Sequence, residues 1–347
     1  MSDDSVALNK RRAFILATIV YEYIETAEPV GSHTLTQKYR LGVSAATIRN
    51  EMAELEAAGY LVQPHASAGR VPSDTGYRTY VDRLMEPVVL AVEDQRQIRN
   101  EFLAASRELG DLIENATKTL GRLTSSFAFA VTPAQQTAMF RHVQLIWFSD
   151  RAGLVIVVTA LGVAAQRNFD VTRAVTADEL TGLSNRFNAT FGGKRFSEIQ
   201  ATAVREVVAS CGLADELAEI VLGALAASVG DERTVVSSGT QHFLAQPEFH
   251  DLRKLRSILN MVEEQKALYD FVAEAMNTAG EAPVVKIGHE LGDGDVSDCS
   301  VLAVPYRTSE DAIGMLALLG PRRMPYGKLL AILAGTANSL TDSLGQR

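Results

Sequence analysis

The first 85 residues change local pattern so often that they leave room for only a small module of short helices and a hairpin. In residues 9–27, Ile15, Ile19, Val20, Tyr23, Ile24 and Ala27 recur at helical spacing, which predicts an amphipathic helix. The run Pro29-Val30-Gly31-Ser32 breaks it, and Ser32 is the predicted N-cap of a short helix over 33–39. Leu41-Gly42-Val43 reads as a tight turn. Ser44 is then the predicted cap of a longer helix over 45–58, stopped at Gly59. Tyr60-Leu61-Val62 and Arg70-Val71 are short extended pieces on either side of the loop 63–69. Helix, short helix, turn, helix and hairpin is the chain order of a winged helix-turn-helix.

On a helical wheel, Ile48, Met52 and Leu55 fall on one narrow face of the third helix and are the predicted contact with the first. Ala46 and Asn50 lie opposite, flanked by Thr47 and Arg49. A helix in the major groove needs small residues for close approach, and Asn and Arg to pair with adenine and guanine edges. Ser44 and the first free amides, beginning at Ala45, suit a phosphate. The wheel alone fits groove-reading and merely solvated side chains equally. The turn, caps and hairpin around it favour reading, and the candidate set is Ser44, Ala45, Ala46, Thr47, Arg49 and Asn50.

In the hairpin loop, His65, Ser67 and Arg70 interleave with Ala66, Ala68 and Gly69. Small residues let a hairpin tip approach a groove, and Arg70 is the expected phosphate or minor-groove charge. For His65 and Ser67 an ordinary solvated turn explains the residues as well. Gly69 is explained by a turn needing positive φ.

Charge tests this reading. The chain of 347 residues carries −9 overall, which excludes a binder whose whole surface is basic. Residues 1–85, however, hold nine Lys and Arg against ten Asp and Glu, so the acidity lies mainly beyond them. Within the block, Lys10, Arg11, Arg12, Lys38, Arg40, Arg49, Arg70, Arg78 and Arg83 are expected to gather on one side. Glu51, Glu54 and Glu56 fall on the half of the third helix expected to point out of a groove.

Beyond residue 85 the texture alternates. Residues 86–125 read as one long helix, with an apolar stripe of Ile98, Phe102, Leu109, Leu112, Ile113 and Leu120. Strand character follows at 127–132, 142–148, 154–160 and 168–171. Helical segments are predicted at 178–191, 198–210 and 214–228, a strand at 234–237, and two helices within 248–278. Strands return at 284–287, 299–306 and 313–319, before a closing helix over 326–344. Strands, a helical interlude and strands again are what an insertion into one α+β domain produces. A hydrophobic fraction of 47% excludes a chain disordered throughout.

No apolar run approaches the ~18 residues that cross a bilayer, and the first residues lack the apolar core of a secretory signal. Cys211 and Cys299 do not make a disulfide framework, so a cytoplasmic location is expected. They also have no partner at ligand spacing, and no phosphate loop, nucleophile elbow or His-Glu-x-x-His run is present, so an enzyme is the least supported class. His289 and Glu290 beside Gly292-Asp293-Gly294-Asp295 are read as solvated rather than as a metal site. No cofactor is expected.

Four runs carry a family resemblance: PVGSHTL (29–35), SAATIRNEMAELEAAGYL (44–61), PHASAGRVPSDTGYRTYVDRLM (64–85) and GPRRMPYGK (320–328). Together they resemble the heat-inducible transcription repressor HrcA family, most strongly over the first 85 residues and again near 284–335, least over 176–250. The resemblance implies an α+β multidomain protein: a winged-helix DNA-binding domain (1–85), a linker helix and the first part of a GAF-like domain (86–175), an inserted helical dimerisation domain (176–250), and the second part of the GAF-like domain (251–347). It implies a homodimeric repressor of chaperone genes that binds double-stranded DNA at an inverted-repeat CIRCE operator. It also implies that the GroEL chaperonin keeps the repressor active and that heat diverts the chaperonin. An alternative is a winged-helix regulator driven by a small effector in the GAF-like domain; a protein-interaction scaffold without DNA contact is a third.

Overall fold

The computed structural model describes residues 8–39, 42–104, 109–133, 139–159, 162–228, 235–244, 246–249, 252–278, 282–308 and 312–345. Leu41 of the expected turn, Arg40 of the expected basic group, and the ends of two expected strands at Ala160 and Thr234 lie outside the described residues.

The chain begins with α1 (Lys10–Thr26), α2 (Ser32–Lys38) and α3 (Ala45–Ala57). The side chain of Asn9 accepts from the amide of Arg12 at the start of α1, which ends at Ala27 with φ 57°. Ser32 is not the cap of α2: it is the first helical residue and buried, and Gly31 takes the cap position without a side-chain bond. Two short antiparallel strands follow, β1 (Leu61–Val62) and β2 (Val71–Pro72), then α4 (Asp74–Thr79) and a π-helical turn Tyr80–Leu84. Ile15, Leu16, Ile19, Leu35, Ile48, Met52, Leu55 and Leu61 fill the inside of this unit and belong to one buried apolar cluster that continues into the helices and sheet beyond residue 86.

Residues 86–125 are not one helix. Among the described residues they form α5 (Val92–Ala104) and α6 (Leu109–Thr124). Glu101 of α5 receives Asn115 through its carbonyl at 2.9 Å and Arg122 through its carboxylate at 2.6 Å. In one straight helix, residues 101 and 122 would stand about 30 Å apart at 1.5 Å per residue, so α5 lies back along α6. Folding back lets both apolar stripes, with Ile98, Phe102, Leu112 and Leu120, meet the closing helix in one core.

Next come β3 (Phe127–Val131), β4 (Phe140–Ser149), β5 (Ala152–Thr159) and β6 (Gly162–Asp170). The helices α7 (Ala177–Phe191), α8 (Ala201–Ser210) and α9 (Asp215–Ser228) follow, then β7 (Val235–Ser238) and α10 (Thr240–Leu244). The chain finishes with α11 (Leu252–Glu263), α12 (Gln265–Thr278), β8 (Val284–Ile287), β9 (Cys299–Arg307), β10 (Ile313–Pro321) and α13 (Tyr326–Gly345). One antiparallel sheet has the order β7-β3-β10-β9-β8 and a second has β4-β5-β6. The five-stranded sheet is buried on both faces. Ala128, Ala130, Leu316 and Leu318 join the core that includes α6 and α13, while Phe127, Phe129, Ala317 and Leu319 join Ile258, Leu268 and Val272 of α11 and α12.

The packing groups residues differently from the sequence blocks. Strands β4 to β6, expected with the first part of the GAF-like domain, share a separate core with α7, α8 and α9: Phe140, Val143, Leu145, Val155 and Val157 meet Leu183, Phe187, Val204 and Val221. β7, expected inside the insertion, pairs with β3 in the five-stranded sheet. Hydrophobic period distinguishes strand from helix but not which sheet a strand joins.

β4 is an edge strand, and α7 blunts part of that edge. The Asn188 carboxamide accepts the Val143 amide at 2.7 Å and donates to the Val143 carbonyl at 3.0 Å, while Ser184 Oγ accepts the Leu145 amide at 2.9 Å. Asn188→Leu keeps the volume but orphans two backbone groups, at about 1–3 kcal/mol each. Urea denaturation should report a loss of about 2–6 kcal/mol, the sum for the two groups, and a change under about 0.5 kcal/mol would reject the edge-guard role.

Candidate nucleic-acid interface

Ile48, Met52 and Leu55 are buried on one side of α3, and each such side chain contributes roughly 1.5–3 kcal/mol. That seat turns the opposite side outward. Ala46, Arg49 and Asn50 are exposed, with Ala45 and Thr47 half-buried on the flanks. Ser44 Oγ accepts the Thr47 amide at 3.2 Å and stands 3.0 Å from Thr47 Oγ1. The cap oxygen is thus spent on the helix, and the amides of Ala45 and Ala46 are the donors left at its start. Among the described residues, Arg49 and Asn50 have neither a hydrogen bond nor an ion pair from their side chains.

The acids of α3 are compensated inside the unit. Glu51 is 2.7 Å from Arg12 and 3.6 Å from Arg11, Glu54 is 3.8 Å from Arg12, and Glu56 accepts Arg70. Glu22 of α1 is buried against Lys38 and Tyr39 at 2.7 and 2.5 Å. The hydrogen bond from Lys38, then that from Tyr39, outweigh burial and hold the Glu22 carboxyl below the usual carboxylate range. Arg49 is therefore the cation of α3 left free to meet a phosphate or a base edge.

The expected gathering of basic residues is only partly met. Arg12, Lys38 and Arg70 are consumed by internal pairs. Arg78 turns the other way, to Glu290 and the Val285 carbonyl. Arg70 is also not the free charge of the hairpin tip. Its guanidinium donates to Glu56 through Nε at 2.9 Å and through a terminal nitrogen at 2.7 Å, with 15% of the side chain exposed. Its backbone pairs with Val30 in both directions at 2.9 Å. The reason is position: Arg70 leaves the loop where the strand crosses α3, within reach of its last turn.

His65 and Ser67 remain at the exposed tip. Gln63 Nε2 ties that loop by donating to the carbonyls of Ala66 and Ala68 at 3.1 and 2.9 Å. Gly69 does not have the positive φ expected of it. It is needed for close approach, since a Cβ there would stand 2.5 Å from the Val30 carbonyl. The candidate interface is thus the exposed face of α3 with the loop 63–68 beside it, and a row of internal ion pairs behind. His289 and Glu290 are engaged by Asp74 and Arg78. Among the described residues, no group of three or more His, Cys, Asp or Glu side chains is placed to hold a metal ion. No helix among them is long and apolar enough to cross a membrane.

The family model for the HrcA protein C terminal domain matches residues 110–330, more than half of the chain. A heat-inducible transcription repressor HrcA of Pelotomaculum thermopropionicum is 36% identical over 341 residues, covering 97% of each chain. The chain belongs to the HrcA family. The HrcA of Symbiobacterium thermophilum is 35% identical over 337 residues, covering 96% of this chain and 98% of that one. A solved structure described as that of a hypothetical protein has a TM-score of 0.60 at 24% identity, covering 98% of this chain and 99% of the other, a likeness of fold. Within this HrcA-family chain, α3 brings Ala46, Arg49 and Asn50 to one face and His65 and Ser67 lie on the loop. Arg70 is withdrawn from both. Sequence reasoning missed the contact of α4 with the segment before α13, although both fall in runs that carry the family resemblance.

Proposed function

We propose that the chain is a heat-inducible transcription repressor, as its HrcA relatives are named, whose first 85 residues form a winged helix-turn-helix that reads double-stranded DNA. The carrying observation is that Arg49 and Asn50 stand without a partner among the described residues, on the outward face of a helix whose other face is locked into a core. The operator is an inverted repeat of the CIRCE type, bound by a homodimer with one reading helix per half-site. The five-stranded sheet with its helices serves as the GAF-like domain and the β4–β6 unit as the inserted dimerisation domain.

Dimerisation has its own support. One face of the β4–β5–β6 sheet packs on α7 and α9, while the other presents Ile146, Ile156 and Val158, with Trp147 and Phe148 also exposed. The same face carries His142, Gln144, Gln166 and Asn168, and a mixed apolar and polar surface of this kind suits a contact between two copies of the chain. The GroEL chaperonin would set the active fraction by refolding the repressor, and heat would lower that fraction by diverting it.

A gel shift with an inverted-repeat duplex and a scrambled control tests the reading. Preference for the repeat by at least about 10³-fold is expected of a specific operator complex; equal binding of both duplexes would defeat it. A parallel refolding assay should recover more operator-binding protein with chaperonin than without, and equal recovery would remove the chaperonin step alone.

The effector alternative has one observation behind it, located elsewhere than the sheet. A cavity of about 550 Å³ lies between the first unit and α13, lined by Phe14, Tyr21, Tyr80, Leu84, Val88 and Lys328 among others. That volume is in the range of small-molecule sites. A metabolite that raises the melting temperature would favour it.

A further inference from the structure

Two of the runs that carry the family resemblance, 64–85 and 320–328, extend beyond α3 and the hairpin loop, and the DNA reading above leaves residues 73–85 and 320–328 unexplained. In the fold they touch each other. The Asp74 carboxylate, at the first turn of α4, accepts Arg322 at 2.8 Å, His289 Nδ1 at 2.6 Å and the His289 amide at 3.1 Å. Arg322 also donates to Asp298 at 3.0 Å. One turn along, Arg78 donates to the Val285 carbonyl at 2.5 Å and to both oxygens of Glu290. Arg323 reaches the Ile24 carbonyl at the end of α1 at 3.2 Å, and is also paired with Glu248. Tyr77 and Tyr326 pack with ring centroids 6.1 Å apart.

The surroundings are shaped to this contact. Gly288 has φ +58° and faces Asp74 so closely that a Cβ would stand 2.2 Å from the carboxylate. Ser73 caps α4 by accepting the Gly76 amide at 3.0 Å, which fixes where Asp74 points. Tyr77 is buried, and its hydroxyl has no partner among the described residues. It lines a cavity of about 180 Å³ together with Tyr23, Asp298, Arg322 and Arg323. Surface ion pairs contribute little to stability. A seam with five directed contacts, a bidentate Arg78 and a glycine cut to fit is better explained by orientation than by stability.

We infer that Asp74, Arg78 and Arg322 are positioning residues for operator recognition, holding each reading unit at one fixed angle to the body of its protomer. The inference rests on the DNA reading above. In a dimer the two reading helices must meet two half-sites at once, and each added base pair turns a half-site by about 34–36° around the duplex, given 10–10.5 base pairs per turn. A rigidly held unit therefore accepts one spacing between half-sites. A unit on a loosened seam accepts several, because the turn is absorbed in the protein.

The test uses the full-length dimer and a series of inverted-repeat duplexes whose spacer changes by single base pairs across one helical turn. The unmodified protein should bind one spacer best and lose roughly tenfold or more two base pairs away, which is a rotation of about 70°. Asp74→Asn should flatten that profile to within about threefold at the same offset, through a weaker hold on each unit. Gly288→Ala should do the same by pushing the carboxylate from the other side, with every charge retained.

Profiles as sharp as that of the unmodified protein in both single variants overturn the inference. A uniform loss at every spacer with the ratios unchanged overturns it too, since that is what lost stability alone produces. If the unmodified protein binds no duplex at any spacer and Asn50→Ala behaves identically, the DNA reading has failed and this inference with it. Sharp profiles in the seam variants leave that reading standing.

Discussion

Replacing Arg49 and Asn50 together by alanine should cost about 2–6 kcal/mol of operator affinity, since each bidentate base contact is worth about 1–3 kcal/mol and the two side chains address different base edges. Thermal stability should move by less than about 0.5 kcal/mol, because exposed positions away from caps and cores rarely matter more. Both side chains are exposed and without partners among the described residues, so removing them orphans nothing. The base preference should also relax, which a phosphate contact alone would not cause. Anisotropy titrations with operator and scrambled duplexes measure both effects. An unchanged ratio between the duplexes would show that α3 is not the reading helix, whatever the absolute affinity did. Arg70→Ala is the informative comparison. Its guanidinium is held by Glu56 behind the loop, so the variant should affect hairpin stability more than base preference.

The second large effect is expected far from DNA. Phe140→Ala should cost about 3–5 kcal/mol, the usual range for truncating a fully buried aromatic residue. Phe140 is completely buried, and its ring meets Phe187 at 5.7 Å and Phe196 at 6.1 Å, both edge-on. Its backbone is held too: the Phe140 amide donates to the Lys194 carbonyl, and the Gly193 amide donates to the Phe140 carbonyl, each at 2.9 Å. The residue therefore joins the start of β4 to the end of α7. Domains are stable by only about 5–15 kcal/mol, so such a loss consumes much of the margin of this unit.

Because the β4–β6 core is separate from the other two cores, the module of α1 to α4 should stay folded while the unit of β4 to β6 with α7 to α9 melts earlier. If that unit joins two protomers, sedimentation should give monomers at concentrations where the unmodified chain is dimeric. Affinity for the inverted repeat should then fall toward that of a single half-site. A stable dimer with the unit unfolded would place the dimer contact elsewhere.

Several of these elements were legible in the residues alone. The periodicity of 9–27 and 45–58 located α1 and α3 within a residue or two, because amphipathic helices advertise their buried face locally. Ile48, Met52 and Leu55 were the predicted contact face of α3 and are its buried residues. The small discrepancies at Ser32 and Gly69 have one cause. Whether a serine caps a helix or enters it, and whether a glycine serves a turn or a close approach, depends on what the neighbouring chain places against it. At Gly69 that neighbour is Val30, some forty residues away.

The sequence by itself determined the order of three helices and a hairpin in the first module, the face of α3 that points outward, the alternation of strands and helices beyond residue 125, and the family. All of these follow from local period, from caps and breakers, or from runs of residues that can be matched one by one. Only the tertiary structure decided that 86–125 folds back on itself, that β4 to β6 leave the main sheet to share a core with α7 to α9, and that Arg70 and Arg78 turn inward. It alone joined Asp74 to Arg322 across 248 positions. The physical reason is that strand pairing and ion pairing are non-local: many partners share the same period or charge, and the choice among them is made when whole elements pack. What a side chain is follows from the sequence, but what it is free to do follows from which partner has already claimed it.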